Sequence, residues 1–301
     1  MKVVLLFLDG VGIGKPDPEI NPLFQANLPT FQSFLGDKLF STRQKKLFTS
    51  DVQLVPTNAT LGVAGLPQSG TGQTAIFTGE NAPKLIKKHF GPYPPSELRA
   101  MIYEKNIFRQ LSVRDKEVAF ANAFPKQFFE YTESGTRRLT VTTLSCIMAN
   151  VTLLTADLLK NNQAVSADLH RERWPEMGYP DITPISSHEA GKHLADIAMK
   201  NDFTLFEYWL TDHAGHSRDM KKSVEVLERF DSFLGGLLEH IDLKETLVVM
   251  ISDHGNIEDL STKTHTRNPV PCIALGNKKK QFVAGVKNLT HITPGILTLF
   301  D

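Results

Sequence analysis

Residues 3–12, VVLLFLDGVG, carry the reading that decides the fold. Val3–Leu8 is an unbroken apolar run that stops at Asp9-Gly10. A half-wet strand alternates apolar and polar residues, whereas a strand covered on both faces reads as a continuous run. Phe203–Leu210 and Thr246–Ile251 have the same character, and Pro271–Leu275 is a weaker instance. Helical periodicity separates them. In Asp219–Ile241, the residues Leu227, Phe230, Leu234, Leu237 and Ile241 share one face. Ser187–Met199 puts Leu194, Ile197 and Ala198 on its apolar side. Thr293-Pro294 reads as a cap followed by a first-turn proline leading into Gly295–Leu299. Strands alternating with helices predict an α/β fold with a mostly parallel central sheet and helices on both faces.

The 301 residues leave room for one large domain with an insertion. Lys+Arg and Asp+Glu both number 33, so no field of one sign recommends nucleic acid or an anionic membrane as partner. The short basic runs at Lys87-Lys88, Lys221-Lys222 and Lys278–Lys280 read as solvated faces. Cys146 and Cys272 sit in neither a zinc-type spacing nor a paired redox motif, which fits a reducing compartment. No stretch approaches the roughly 20 apolar residues that span a bilayer. A cytoplasmic protein is the expectation.

The middle of the chain differs from its flanks. It opens on the proline-rich GPYPPSELR and closes on WPEMGYPDITP. Between them lie a predicted helix, Ser96–Leu111, and a predicted strand, Glu117–Ala121. Residues 91–187 are therefore expected to form a small α+β cap inserted into a core made of residues 1–90 and 188–301.

Seven residues have the types needed to hold two divalent metals beside a nucleophile: Asp9, Ser69, Asp212, His216, Asp253, His254 and His265. Singly, each has an ordinary explanation. Asp9-Gly10 suits a turn, and Ser69 lies in a Gly/Ser/Thr cluster. Asp253-His254 is sharper, because an acid and an imidazole ending a very apolar strand carry a solvation cost unless something binds there. Together they are hard to explain as turns. Three of their five motifs follow strands, and open α/β sheets place ligands at the carboxyl ends of strands. Carboxylate oxygens and imidazole nitrogens are usual ligands of Mn²⁺ and Zn²⁺. Paired cations suit phosphoryl transfer and can activate a serine. Gly70 and Gly72 are expected to let a phosphate approach the backbone, with a helix starting at Gln73–Phe77 to favour the anion.

In the order, residue types and strand placement of these motifs, the chain resembles the alkaline phosphatase superfamily. The likeness is to its cofactor-independent phosphoglycerate mutase and phosphopentomutase branch, over residues 1–90 and 188–301. The resemblance implies one metal held by Asp212, His216 and His265, and a second held by Asp9, Ser69, Asp253 and His254. It implies a phosphoserine on Ser69, whose phosphoryl group passes to another hydroxyl or to water. The chain departs from the family at Ser69-Gly70-Thr71-Gly72-Gln73, where the family's Ser/Thr-x-x-Gly-His pattern would put histidine at 73. No Cys or Ser lies in the sulfatases' Cys/Ser-x-Pro-x-Arg setting.

Arg137, Arg138, Arg171 and Arg173, with His170, are the cap's candidates for gripping a second anionic group, since arginine matches phosphate and carboxylate in a two-pronged way. The expected substrate is a small phosphorylated metabolite and the expected cofactors are two Mn²⁺ or Zn²⁺ ions. No mutase substrate grip can be aligned, so hydrolysis is favoured over a phosphoglycerate- or phosphopentose-type mutase. A non-catalytic phosphometabolite-binding protein, motivated by Gln73 and the small cap, is the third reading.

Overall fold

The computed structural model describes residues 1–36, 41, 46–135 and 138–301. Its centre is a seven-stranded sheet in the order β2-β3-β9-β8-β1-β7-β4. The strands are β1 (Lys2–Leu8), β2 (Leu47–Phe48), β3 (Val52–Thr57), β4 (Val118–Phe120), β7 (Phe203–Tyr208), β8 (Thr246–Ile251) and β9 (Val270–Gly276). Two short strands outside it, β5 (Ala123–Phe124) and β6 (Leu154–Thr155), form a separate parallel pair.

β8, β1, β7 and β4 are parallel. β9 runs antiparallel to β8, and β3 antiparallel to β9, so five of the seven strands point the same way. The expected fold is present: a mostly parallel sheet between helices. The reversal at β9 has a simple cause. Residues 252–269 join β8 to β9 without a crossover helix, so the chain turns back at the end of the sheet where it emerged. That loop keeps Asp253, His254 and His265 at one end.

The continuous apolar run of β1 is explained by where its side chains go. Val3, Leu5 and Phe7 enter one core cluster, while Val4, Leu6 and Leu8 enter another. On the first face lie the helices Ser69–Thr78, Arg99–Lys105, Ile107–Ser112, Val141–Met148 and Ile292–Leu297. On the second lie Ser187–Met199 and Met220–His240. Each fully buried side chain such as Phe7 contributes about 1.5–3 kcal/mol. The last two helices nearly touch through their backbones, for a Cβ on Gly236 would stand 1.9 Å from the carbonyl oxygen of His188.

Three local expectations change. The helix expected over Ser96–Leu111 is broken at Asn106, which is extended (φ −64°, ψ 149°). Its buried side chain donates to Ile102 O (2.7 Å) and accepts from Arg109 N (3.0 Å), so it closes one helix and opens the next. Near the C-terminus the helix starts at Ile292, and Thr293 is no cap; its hydroxyl donates to Ile76 O at 2.7 Å. The third concerns residues 91–187. β4 pairs with β7 in the main sheet, and Leu98, Ile102, Phe108 and Leu144 share a core with Phe7 and Phe77. Packing therefore does not change at residue 91. A smaller lobe does have its own apolar cluster, with Ala123, Leu159, Trp174 and Ile182, built around β5 and β6. Among the described residues, no helix is long and apolar enough to cross a membrane.

Replacing Asn106 with alanine removes both caps at once and should cost about 1–2 kcal/mol of unfolding free energy. Urea denaturation measures this, and an unchanged midpoint would mean that the break is set by other contacts.

Candidate two-metal active site

The sheet gathers the seven candidates at the carboxyl ends of its strands. Asp9 follows β1, and Asp253 and His254 follow β8. Asp212 and His216, one turn apart on the helix Leu210–Ser217, follow β7. Ser69 is the first residue of the wholly buried helix Ser69–Thr78. His265 comes from the loop returning to β9. Gly10 is required where β1 ends. Its φ is +71°, and a Cβ there would sit 2.5 Å from Asp212 Oδ1. Thr211 ties this corner together by donating from its hydroxyl to Asp9 O at 2.5 Å.

Two groups of possible ligand atoms result, each with all its atoms within 4.8 Å of one another: Asp212, His216 and His265, and Asp9, Asp212 and His254. In the first, His265 Nε2 stands 3.2 Å from His216 Nε2 and 3.6 Å from Asp212 Oδ1. In the second, His254 Nε2 is 3.3 Å from Asp9 Oδ1, 3.6 Å from Asp253 Oδ2 and 3.0 Å from Ser69 Oγ. The family resemblance gives Asp212 to one metal alone, whereas here it stands between both groups. The rings of His254 and His265 stack with centroids 3.7 Å apart.

The chemistry of this donor set fits divalent cations. His265 Nδ1 donates to the carbonyl of Pro67 at 2.8 Å, which leaves the Nε2 lone pair aimed at Asp212 and His216. Burial lowers His254 to a pKa of about 4. Burial, then the charge of His254, lowers His265 to about 4. Both are therefore neutral imidazoles, the form that ligates metal. Burial, then the charge of Asp253, pushes Asp9 well above the usual carboxylate range. Burial, then Asp212, raises Asp253 to about 7. Asp212 goes the other way. Burial opposes its charge, but the hydrogen bond from His216, the charge of His254 and the Asn256 amide together hold it below the usual range. Asp9 Oδ1 is buried without a hydrogen-bond partner. Such atoms are costly unless a proton or a cation meets them.

Several contributors stand outside the seven candidates. Gln73, where the resemblance expects histidine, donates to Asp9 Oδ2 (3.2 Å) and Asp253 Oδ2 (3.4 Å), bridging the two acids without adding charge. Asn256 donates to Asp212 Oδ1 at 2.6 Å. Buried Glu258 accepts from Gly12 N (3.0 Å), Asn256 N (2.7 Å), Thr266 Oγ1 (2.5 Å) and Asn268 Nδ2 (3.0 Å). It thereby fastens the loops after β1 and β8 to the segment carrying His265. Glu207 on β7 accepts from Thr142 Oγ1 at 2.6 Å, and burial raises it to about 7. The DHGNIE string at 253–258 was the available signal for Asn256 and Glu258; nothing local signalled Glu207.

Other expectations are corrected. Gly70 and Gly72 admit protein rather than phosphate, because a Cβ at Gly70 would lie 2.5 Å from Tyr93 O and one at Gly72 would lie 2.9 Å from Asp253 O. The helix begins at Ser69, not at Gln73. Arg171 is buried, donating to Asn162 Oδ1 (3.0 Å) and meeting His193 Nδ1 (3.2 Å), so it is a structural residue of the lobe. Arg173 is exposed, and His170 pairs with Glu172 at 3.5 Å. Arg137 lies outside the described residues. Arg138 alone of these lines the cavity of about 350 Å³ that opens beside Asp9.

A sheet that delivers acids, neutral imidazoles and the buried Ser69 to a single end suits a metal-dependent class of enzyme. A sequence profile of the Metalloenzyme superfamily matches residues 1–301, and the chain belongs to that family. It is similar to the 2,3-bisphosphoglycerate-independent phosphoglycerate mutase of Pyrococcus abyssi, at 31% identity over 85 residues, covering 28% of this chain and 20% of that protein. The matched stretch is thus about a fifth of the relative's length. In fold it is similar to the alkaline phosphatase of the Antarctic bacterium TAB5, with a TM-score of 0.56, 15% identity, and 100% and 98% of the two chains covered. It is also similar to the Leishmania mexicana phosphoglycerate mutase, with a TM-score of 0.51, 11% identity, and 99% and 95% covered.

Two measurements probe this site. A carboxyl raised to about 7 keeps its proton at pH 5.5 and must release it to ligate a cation. Mn²⁺ or Zn²⁺ should therefore bind more weakly at pH 5.5 than at pH 7.5, with about tenfold lost per pH unit for each proton displaced. Titration calorimetry in buffers of different ionisation enthalpy should show the proton release, and pH-independent affinity would contradict it. Glu258→Ala should strand the donors it serves, lower stability by at least about 1–3 kcal/mol and weaken metal binding by roughly 10–100-fold. Unchanged metal affinity would remove its positioning role.

Proposed function

We propose that this chain transfers a phosphoryl group from a small phosphate monoester through phospho-Ser69, with two divalent cations held by Asp9, Asp212, His216, Asp253, His254 and His265. The observation that carries this reading is the position of Ser69 Oγ, 3.0 Å from His254 Nε2 and at the start of a buried helix. Bound there, the cations would supply charge neutralisation on the phosphoryl oxygens and activation of the hydroxyl.

The protein's own groups do the rest. The dipole of the Ser69–Thr78 helix favours an anion at its N-terminus. The Ser69 Oγ–phosphorus bond forms as the ester P–O bond breaks, and the serine proton ends on the released alcohol. Gln73 keeps Asp9 and Asp253 in register, and β5 with the helix Lys126–Glu133 walls one side of the cavity beside Asp9.

The acceptor in the second half-reaction is proposed to be a hydroxyl of the bound substrate, making the enzyme a phosphomutase. The matched curated relatives are named phosphoglycerate mutases, which favours this over the hydrolysis preferred from sequence alone. Which phosphate ester is used is not fixed by that likeness. One ground for the binding-only reading weakens, since Gln73 has a place between two of the acids.

Metal-loaded protein should convert a phosphorylated metabolite into its isomer, with free phosphate as the minor product. Phosphate as the sole product would return the reading to hydrolase. Ser69→Ala should lower kcat by several powers of ten, on the order of 4 kcal/mol or more of barrier. Acid-quenched wild type should carry phosphate on Ser69, and undiminished turnover by the variant would refute the assignment.

A further inference from the structure

The cavity beside Asp9 has an unusual wall. Tyr93, Phe124, Phe128, Tyr131 and Trp209 line it, and Arg138 is its one cation among the described residues. Phe124 and Phe128 stack with centroids 4.4 Å apart. Tyr93, Tyr131 and Trp209 are 37%, 38% and 39% exposed, so the rim is aromatic and wet. The helix Lys126–Glu133 that presents Phe128 and Tyr131 has no buried residue at all. Apolar rings held open around a cavity are characteristic of a surface that a ligand covers.

The polar groups deeper in the cavity are already engaged. Asn122 donates to Glu207 O and accepts from Glu207 N, both at 2.8 Å. Thr140 Oγ1 meets Thr142 Oγ1 at 2.8 Å. Two carboxyls, Asp9 and Glu207, face the space, where Arg138 is the one guanidinium among the described residues. A compact substrate with a second anionic group would find few donors here. A flat ring would find faces to stack on and bulk to fill the space.

We propose that the alcohol portion of the phosphate ester carries a planar aromatic ring, as a nucleoside monophosphate does, seated among Tyr93, Phe124, Phe128, Tyr131 and Trp209. The proposal rests on phosphoryl transfer at Ser69. In that pose the phosphate lies toward Asp9 and Ser69, and the ring lies under the lobe.

Adenosine 5′-monophosphate and ribose 5-phosphate share the same primary phosphate ester and differ by the base, so their comparison isolates the ring. With metal-loaded enzyme, kcat/KM for the nucleotide should exceed that for ribose 5-phosphate at least tenfold, about 1.4 kcal/mol, with the difference in KM. Phe128→Ala should shrink that ratio severalfold. Equal or reversed selectivity in the wild type overturns the proposal while leaving phosphoryl transfer standing. If neither ester nor 3-phosphoglycerate turns over, phosphoryl transfer fails, and binding decides the cavity separately. Titrating metal-loaded Ser69→Ala with the nucleotide should then change the tryptophan fluorescence saturably, ribose 5-phosphate should not, and Trp209→Phe should abolish the signal. No nucleotide-dependent signal overturns the proposal in that case too.

Discussion

Buried acids that meet no lysine or arginine among the described residues govern this structure. Asp9 and Asp253 end adjacent central strands and are almost out of solvent, and Asp212 leans in from the neighbouring helix. Among the described residues, their ion pairs are all to histidines: His254 for Asp9 and Asp253, His216 and His265 for Asp212. Burial costs a carboxylate several kcal/mol unless a proton or a cation compensates it. Two of the histidines are themselves held neutral. The cluster is thus incomplete as an ion-pair network, and its missing component is positive charge.

The sheet makes such an arrangement tolerable. Central strands buried on both faces give a frame stiff enough to hold unfavourable groups at its ends. Much of that frame was legible because its physics is local. The strand runs at Val3–Leu8 and Thr246–Ile251 announce two-sided burial, and the apolar side of Ser187–Met199 announces that helix, whose start Ser186 caps by accepting from Glu189 N. What was illegible depended on partners distant in sequence. A three-residue strand such as β4 joins the main sheet only because β7 lies beside it. The break at Asn106 is a choice between one helix and two that the apolar periodicity alone cannot make.

The site divides along the same line. The groups proposed to meet a cation are Asp, His and Ser residues, most of them just after strands, so residue type and position nominate them. Groups that hold those ligands are ordinary amides and carboxylates whose roles exist only in three dimensions. Gln73 looked like a lost histidine until its amide proved to span Asp9 and Asp253. Glu258 draws no notice in the sequence, yet four donors converge on it. Arg171 failed for the converse reason: charge suggests a grip on anions, but its guanidinium is spent inside the lobe. The glycines of the serine motif mislead similarly, since the space they vacate belongs to Tyr93 O and Asp253 O.

In the proposed reaction, chemistry and selectivity come from different parts of the chain. The groups proposed to react sit on loops and helices beside the ends of central strands, where a misplaced atom is costly. The cavity wall comes mostly from residues 122–143, after the edge strand β4, where the framework places fewer demands on sequence. In a helix such as Lys126–Glu133, aromatic side chains ordinarily signal a core face. Here Phe128 and Phe129 pack against the core only in part, and Tyr131 is exposed. Leaving that much apolar surface partly wet forgoes stability at about 25 cal/mol per Å². A wall of this kind beside a cluster short of positive charge makes sense when the two meet different ends of one molecule, a phosphate at the ligands and an apolar body against the rings.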